Sequence, residues 1–159
     1  FRVYSNTYLG NHFEILLAPG PWRFEVIEAV VSEKSCQKIK FYSDWENYWG
    51  RKDYAKIVAG GYYAVRMAVT EYLDKIKRQA SCLVFREIDK QAYYAPLGVW
   101  VVRETVRGSF EKKYSRFSSL GEALSTAFQR LKIRKEHWIK ESRLLKELNL
   151  QKSVKSYLL

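Results

Sequence analysis

Two cysteines, two histidines, three prolines and one methionine are all that 159 residues hold of those types, and each scarcity closes off a class of protein. Cys36 and Cys82 are too few for a disulfide framework, and neither lies at metal-ligand spacing from the other or from His12 and His137. Buried thiols, no metal and no cofactor are the expectation. No run of 18 apolar residues occurs, so a conventional membrane-crossing helix is not expected, and the chain does not open with a basic-plus-apolar secretory leader. An intracellular, cytoplasmic chain with no membrane partner follows. The first residue is Phe1 rather than Met, which points to a portion of something longer or a processed product. Also missing are a glycine-rich phosphate loop ending in Lys-Ser or Lys-Thr, a nucleophile elbow and a helical His-Glu-x-x-His.

Apolar and aromatic residues are plentiful. Apolar types make up 47% of the chain and aromatics 16%, enough for one folded domain of ordinary size. The charge is +11 and lopsided: residues 103–159 carry fourteen basic against six acidic side chains. A field of one sign concentrated in one region attracts phosphate backbones, although Lys- and Arg-rich helices also serve as plain solvated faces.

Residues 12–18 (HFEILLA) read as a strand ended by Pro19-Gly20-Pro21. Residues 22–31 (WRFEVIEAVV) fit a second strand, with a helix as the alternative. Residues 32–38 read as polar loop. Residues 41–54 mix six aromatics with charges in no clean period, a pattern that suits a recognition surface or the cover of a core edge. From Gly60-Gly61 the apolar residues Tyr62, Val65, Val69, Tyr72, Leu73 and Ile76 recur at helical spacing, predicting a long central helix to Gln79. The glycine pair allows close approach of a phosphate or, alternatively, tight packing. Residues 81–88 (SCLVFREI) and 97–102 (LGVWVV) read as strands, and residues 104–114 as a helix. Ser119 and Glu122 form a capping box opening a helix to Leu131, and residues 135–148 read as one amphipathic basic helix.

The last nine residues read as a separate tail. Gln151, Val154, Tyr157 and Leu158 have the layout of a peptide that binds the sliding clamp PCNA. One tight helical turn from Val154 to Tyr157 would set three apolar side chains on one side as a plug, leaving Gln151 for a polar pocket. Leu158 stands where such peptides usually carry a second aromatic, which should lower affinity. The competing reading continues the helical period of Leu144, Leu145 and Leu148 through Val154 to Tyr157 and Leu158, packing the tail on the domain.

Several stretches carry a resemblance. GGYYAVR at 60–66, EYL at 71–73, RQA at 78–80, LVFREI at 83–88 and YAPLGVWVVRE at 94–104, with LAPGPWRFE upstream at 17–25, together resemble the C-terminal region of the archaeal Nre DNA-repair proteins across most of residues 12–107. The resemblance implies an archaeal source, nucleoid association, a role in the DNA damage response and PCNA as partner through Gln151, Val154, Tyr157 and Leu158. It also implies an N-terminal portion outside this sequence, which in related proteins can include a Cys-rich zinc site. It supplies no catalytic residues.

Within the matching stretches, Arg66, Glu71, Arg78, Arg86, Glu87, Arg103, Glu104 and Arg107 sit in or beside strongly apolar elements, where an ionised group needs a partner. They suggest a polar cleft. If it is a site, the arginines suit phosphate or carboxylate, and Glu71, Glu87 and Glu104 are the candidates for acid–base or metal-ligand work. If it is structural, they are ion pairs between helix and sheet. Glu87-Ile88-Asp89-Lys90 misses the carboxylate–lysine spacing of a metal-dependent nuclease. Tyr93, Tyr94 and Trp100 are candidates for stacking a base, with Trp100 alternatively core. Lys135, Lys140 and Arg143 are the candidates for DNA contact.

These readings converge on an α+β domain over residues 1–149, with α/β as the alternative. A mixed sheet is packed by the long helix, and C-terminal helices lead to a mobile clamp-binding tail at 150–159. The expected function is a repair-associated factor that binds PCNA and touches DNA through its basic C-terminal surface. Its rivals are an enzyme acting on nucleic acid or a nucleotide through the Arg/Glu cleft, and a purely structural interaction domain.

Overall fold

A computed structural model describes residues 1–31, 39–93 and 97–156, with side chains as far as Asn149. Six strands form one mixed sheet in the order β4-β3-β5-β2-β1-β6, namely β1 (Arg2–Tyr8), β2 (Asn11–Pro19), β3 (Arg23–Val31), β4 (Phe41–Glu46), β5 (Ala80–Asp89) and β6 (Ser115–Arg116). Only β3 and β5 are parallel, and every other pair is antiparallel. β5 therefore lies between β2 and β3, which are neighbours in sequence but not in the sheet.

The alternation of side chains along each strand divides the core in two. Phe13, Ile15 and Leu17 of β2, Phe24 and Val26 of β3, and Cys82 and Val84 of β5 face helices α1 (Gly60–Lys75) and α2 (Val99–Glu111). Leu16 and Ala18, Ile27 and Ala29, and Leu83 and Phe85 face α3 (Leu120–Gln129), α4 (Lys135–Glu141) and α5 (Arg143–Ser156). Burial on both faces explains why residues 23–31 settle as a strand: either set of alternate positions finds an apolar partner layer. Cys82 is the free thiol of this core, and burial pushes its pKa far up.

Strands β1, β4 and β6 are not expected from the sequence, the stretch at 41–46 pairing with β3 despite its lack of a clean period, and three expected elements take another form. The valine-rich stretch at 97–102 is not a strand. It opens α2, whose later part is the helix expected at 104–114, begun five residues earlier and ended at Glu111; Val101, Val102, Thr105, Val106 and Ser109 form its buried stripe at helical spacing. Packing against α1 overrides the β-branched preference, and Trp100 is left 45% exposed rather than in the core. The long helix stops at Lys75, four residues short of Gln79. Lys77 has φ 50°, and the Arg78 N–H turns back to the Leu73 carbonyl at 3.0 Å, closing the helix end. The single basic helix expected at 135–148 is two helices, because Ser142 adopts extended backbone and its hydroxyl donates to Glu25 at 2.6 Å.

The capping box of Ser119 and Glu122 is present. Gly60 and Gly61 serve packing. A Cβ on Gly60 would stand 3.0 Å from Val99 Cγ1, and one on Gly61 3.1 Å from Glu28 Oε1 and 3.2 Å from Val58 Cγ1. The expected loop at 32–38 and residues Tyr94, Tyr157 and Leu158 lie outside the described residues. The α5 backbone runs unbroken through Gln151 and Val154 to Ser156. Among the described residues no helix is long and apolar enough to cross a membrane.

Candidate nucleic-acid interface

The sheet carries six buried acidic side chains, and each holds a neighbouring segment in place. On the α1–α2 face, Glu28 pairs with Arg86 at 2.5 Å. Asp44 accepts the N–H groups of Ile57 and Val58 at 3.0 and 2.6 Å, and Glu46 accepts from Trp22 and Arg66 at 2.6 and 2.8 Å. On the opposite face, Glu14 meets Ser5, His12 and Arg130. Glu87 accepts the N–H groups of Lys132 and Ile133 at 2.9 and 2.7 Å. Glu25 takes four donors: Ser142 Oγ, Ser43 Oγ, Arg143 N–H and Leu144 N–H. Burial raises the pKa of Glu25 and of Glu87, and in each case the donors pull the other way.

This arrangement distributes the expected Arg/Glu cleft over separate places. Glu87 faces the α3–α4 connection, with both carboxylate oxygens committed to backbone. Glu71 and Glu104 lie on the outer surface of α1 and α2. Arg107 bridges them, donating to both oxygens of Glu71 at 2.7 and 2.8 Å and to Glu104 at 2.8 Å, while Arg103 reaches Glu104 at 3.0 Å. The Arg107 bond holds Glu71 below its ordinary pKa, the Arg103 bond does the same for Glu104, and Arg107 is raised in return. Arg86 lies over the Phe13 ring and donates through Nε to Asn11 Oδ1 at 3.0 Å. Arg66 is held by Glu46 beside Trp22. Arg78 is beyond the C-terminal end of α1, where it lines a cleft of about 240 Å³ with Arg2 and Arg116. Among the described residues no cluster of three or more His, Cys, Asp or Glu could hold a metal ion.

Lys135, Lys140 and Arg143 belong to the α4–α5 layer, whereas Arg103 and Arg107 sit on α2 across the sheet. Trp138 is fully buried, with its indole N–H bonded to the Ile133 carbonyl at 3.2 Å, and it anchors α4 against Phe41 and Phe85. Around that anchor Lys135 and Lys140 are exposed and make no ion pair among the described residues. Lys146, which sequence reasoning did not single out, joins them and, among the described residues, donates to the Lys140 carbonyl at 2.7 Å and pairs with no carboxylate. Arg143 is engaged already: its guanidinium carbon lies 3.5 Å from the centre of the Trp45 ring, and its Nε is 3.4 Å from Glu147. An amphipathic pair of helices with paired arginine and unpaired lysines can meet a polyanion without first breaking ion pairs. The buried strand acids, by contrast, had one sequence signal: single carboxylates at alternate positions inside apolar runs, as Glu25 and Glu28 are in residues 23–31.

A family model described as archaeal Nre, C-terminal, matches residues 46–157, and one described as archaeal Nre, N-terminal, matches residues 1–36. The upstream stretch at 17–25 thus falls to the N-terminal model. The two matches are interleaved in space, because β5 from the C-terminal match lies between β2 and β3 of the N-terminal match. The chain is 40% identical over 137 residues to the DNA repair protein NreA of Archaeoglobus fulgidus, covering 81% of this chain and 33% of that protein. It is 37% identical over 128 residues to NreA of Haloferax volcanii, covering 77% and 30%. It is 36% identical over 149 residues to the DNA repair protein NreB of A. fulgidus, covering 92% and 38%. The chain thus spans about a third of the length of these curated relatives. No solved structure matches it. With two family models accounting between them for nearly every residue, the chain belongs to the archaeal Nre family.

Proposed function

We propose that this chain acts in archaeal DNA repair, contacting DNA through the α4–α5 face and docking on PCNA through its C-terminal end. The repair role rests on the relatives, which are named as DNA repair proteins. The DNA contact is supported by one observation above the rest: Lys135 and Lys140 on α4 and Lys146 on α5, which reaches the Lys140 carbonyl, have no carboxylate partner among the described residues. The clamp contact rests on the spacing of Gln151, Val154, Tyr157 and Leu158, with the first two on the last turns of α5. Tethering to a clamp replaces a search in solution by a high local concentration, so a weak DNA contact suffices.

A calorimetric titration of archaeal PCNA with the chain, and with a version lacking residues 151–159, tests the tether. Saturable binding that disappears on truncation supports it, whereas no binding by the intact chain refutes it. DNA contact is tested separately, by fluorescence anisotropy with labelled DNA over a range of salt. The competing enzyme reading has less to stand on, since Glu71, Glu87 and Glu104 do not converge on one place.

A further inference from the structure

The connection between β4 and α1 is tightly built, yet it displays aromatic rings to solvent. Asp44 accepts the N–H groups of Ile57 and Val58 and pairs with Arg51 at 3.3 Å. Arg51 also donates to the carbonyls of Trp45 and Asp53 at 2.8 and 3.2 Å. The Ala55 N–H bonds the Tyr63 hydroxyl at 2.9 Å. The tip is a tight turn: the Gly50 N–H reaches the Asn47 carbonyl at 3.0 Å, the Trp49 N–H reaches Asn47 Oδ1 at 3.0 Å, and Gly50 takes φ 76°. On this held turn Trp49 is 87% exposed, and Tyr48, its edge-to-face neighbour at 5.2 Å, is 52% exposed.

An indole left in water on an ordered turn forgoes the burial that usually makes Trp worth having. Its surroundings indicate the occupant. Residues 47–58 carry Arg51, Lys52 and Lys56 against the single acid Asp53. Arg51 is committed to Asp44, while Lys52 and Lys56 are exposed and make no ion pair among the described residues. Trp49 and Tyr48 stand at the tip of the turn, Tyr54 and Ile57 are exposed further along it, and the lysines set among these side chains match flat rings carried on a phosphate backbone. We propose that Trp49 stacks on an unpaired base of a single-stranded DNA segment, with Lys52 and Lys56 facing the flanking phosphates. This deepens the DNA-contact reading above and rests on it. Base–aromatic stacking is sequence-tolerant, so the site selects for unstacked bases rather than for a sequence.

The test uses the 159-residue chain and three labelled DNAs: a single strand, the same strand with a run of abasic spacers, and the duplex. The expected result is tighter binding of the base-bearing strand than of the abasic one by about tenfold, the size of a single stacked base. Trp49→Ala abolishes that preference and Trp49→Phe keeps most of it. Lys52→Gln with Lys56→Gln weakens both single strands alike. Equal affinity of the unsubstituted chain for base-bearing and abasic strands overturns the stacking proposal, leaves the DNA contact standing and makes Trp49 a protein-facing residue. Absence of binding to all three DNAs overturns both. Since Trp49 touches little besides Tyr48, an unchanged thermal unfolding curve for Trp49→Ala separates loss of stacking from loss of fold.

Discussion

Arg143 lies across Trp45, guanidinium carbon 3.5 Å from the ring centre, while the N–H of the same arginine donates to Glu25 at 2.9 Å. One residue thus fastens the start of α5 to two strands, through Trp45 of β4 and Glu25 of β3. Arg143→Ala should lower stability by about 1 kcal/mol, the usual range for a partly exposed cation over an aromatic face. A double-mutant cycle with Trp45→Ala in urea unfolding should show the two losses failing to add. Full additivity would mean that the stacking contributes nothing.

Glu25 is the acceptor that makes the kink at Ser142 stable. Each of its oxygens takes one backbone N–H, from Arg143 on one side and Leu144 on the other, with the Ser142 hydroxyl beside the latter. In Glu25→Gln the amide NH₂ must confront an N–H donor whichever way it is flipped, so about 1–3 kcal/mol should be lost despite the matched shape. Ser142→Ala should cost about 1 kcal/mol, because the hydroxyl also caps the Leu145 N–H at 3.1 Å. Denaturant midpoints for the two variants check this, and an unaltered midpoint for Glu25→Gln would contradict the assignment.

The pH dependence of stability has opposed contributions. Burial raises Glu25 and Glu87 above the ordinary carboxylate value of 4.5. Their contribution to stability is fully present below that value and is lost as pH rises through the raised one. Glu71, Asp89, Glu104, Glu122 and Glu136 are lowered, chiefly by hydrogen bonds, so their contribution is present above the ordinary value and is lost as pH falls through the depressed one. Stability should therefore peak in weak acid. Urea titrations between neutrality and strong acid check this, and a stability maximum at neutral pH would contradict it.

The three carboxylates marked out as chemical candidates should separate by phenotype. Glu87→Gln keeps an oxygen for one of the two backbone N–H groups and turns an NH₂ toward the other, so it should cost about 1–3 kcal/mol. Glu71→Gln and Glu104→Gln break solvent-screened pairs on the surface of α1 and α2 and should leave the denaturant midpoint nearly unchanged. A nucleolytic or nucleotide-consuming activity lost in Glu71→Gln with the fold intact would restore the enzyme reading.

Lysines and arginines of the C-terminal layer should differ in their effect on DNA. Neutralising Lys135 or Lys140 should lower the slope of log affinity against log salt by about one unit for each phosphate that no longer meets a cation. Arg143→Gln should change that slope little, since its charge is spent on Trp45 and Glu147. The three slopes, measured by anisotropy on one duplex, distinguish a lysine-built face from a diffuse one.

How much of this is legible in the sequence depends on whether the signal is local. Residues 12–18, 60–75 and 81–88 carry an alternation or a helical period strong enough to read, and Ser119 with Glu122 spells a capping box in four residues. What the sequence hides are places where a distant partner decides. Val99, Val101 and Val102 look like strand until α1 supplies the surface for a helix, and Ser142 looks like helix until Glu25, far upstream, draws its hydroxyl away. The first strand escapes notice because Arg2–Tyr8 alternates imperfectly and has its register set by β2. The candidate arginines and glutamates do need partners, as their apolar neighbours imply, but sequence order says nothing of which face of the sheet each partner comes from.

The position of β5 governs the order in which this chain can become a sheet. Until residue 89 has left the ribosome, β2 and β3 have no strand between them, and each exposes a row of unpaired amides toward the vacant slot. That slot is filled only after the chain has passed through β4 and the whole of α1, a long closure that slows assembly. Meanwhile a second nascent copy carries the same ten-residue strand. Exchange of Ala80–Asp89 between two chains is the misassembly this topology invites, and prompt packing of α1 over the sheet is its natural safeguard.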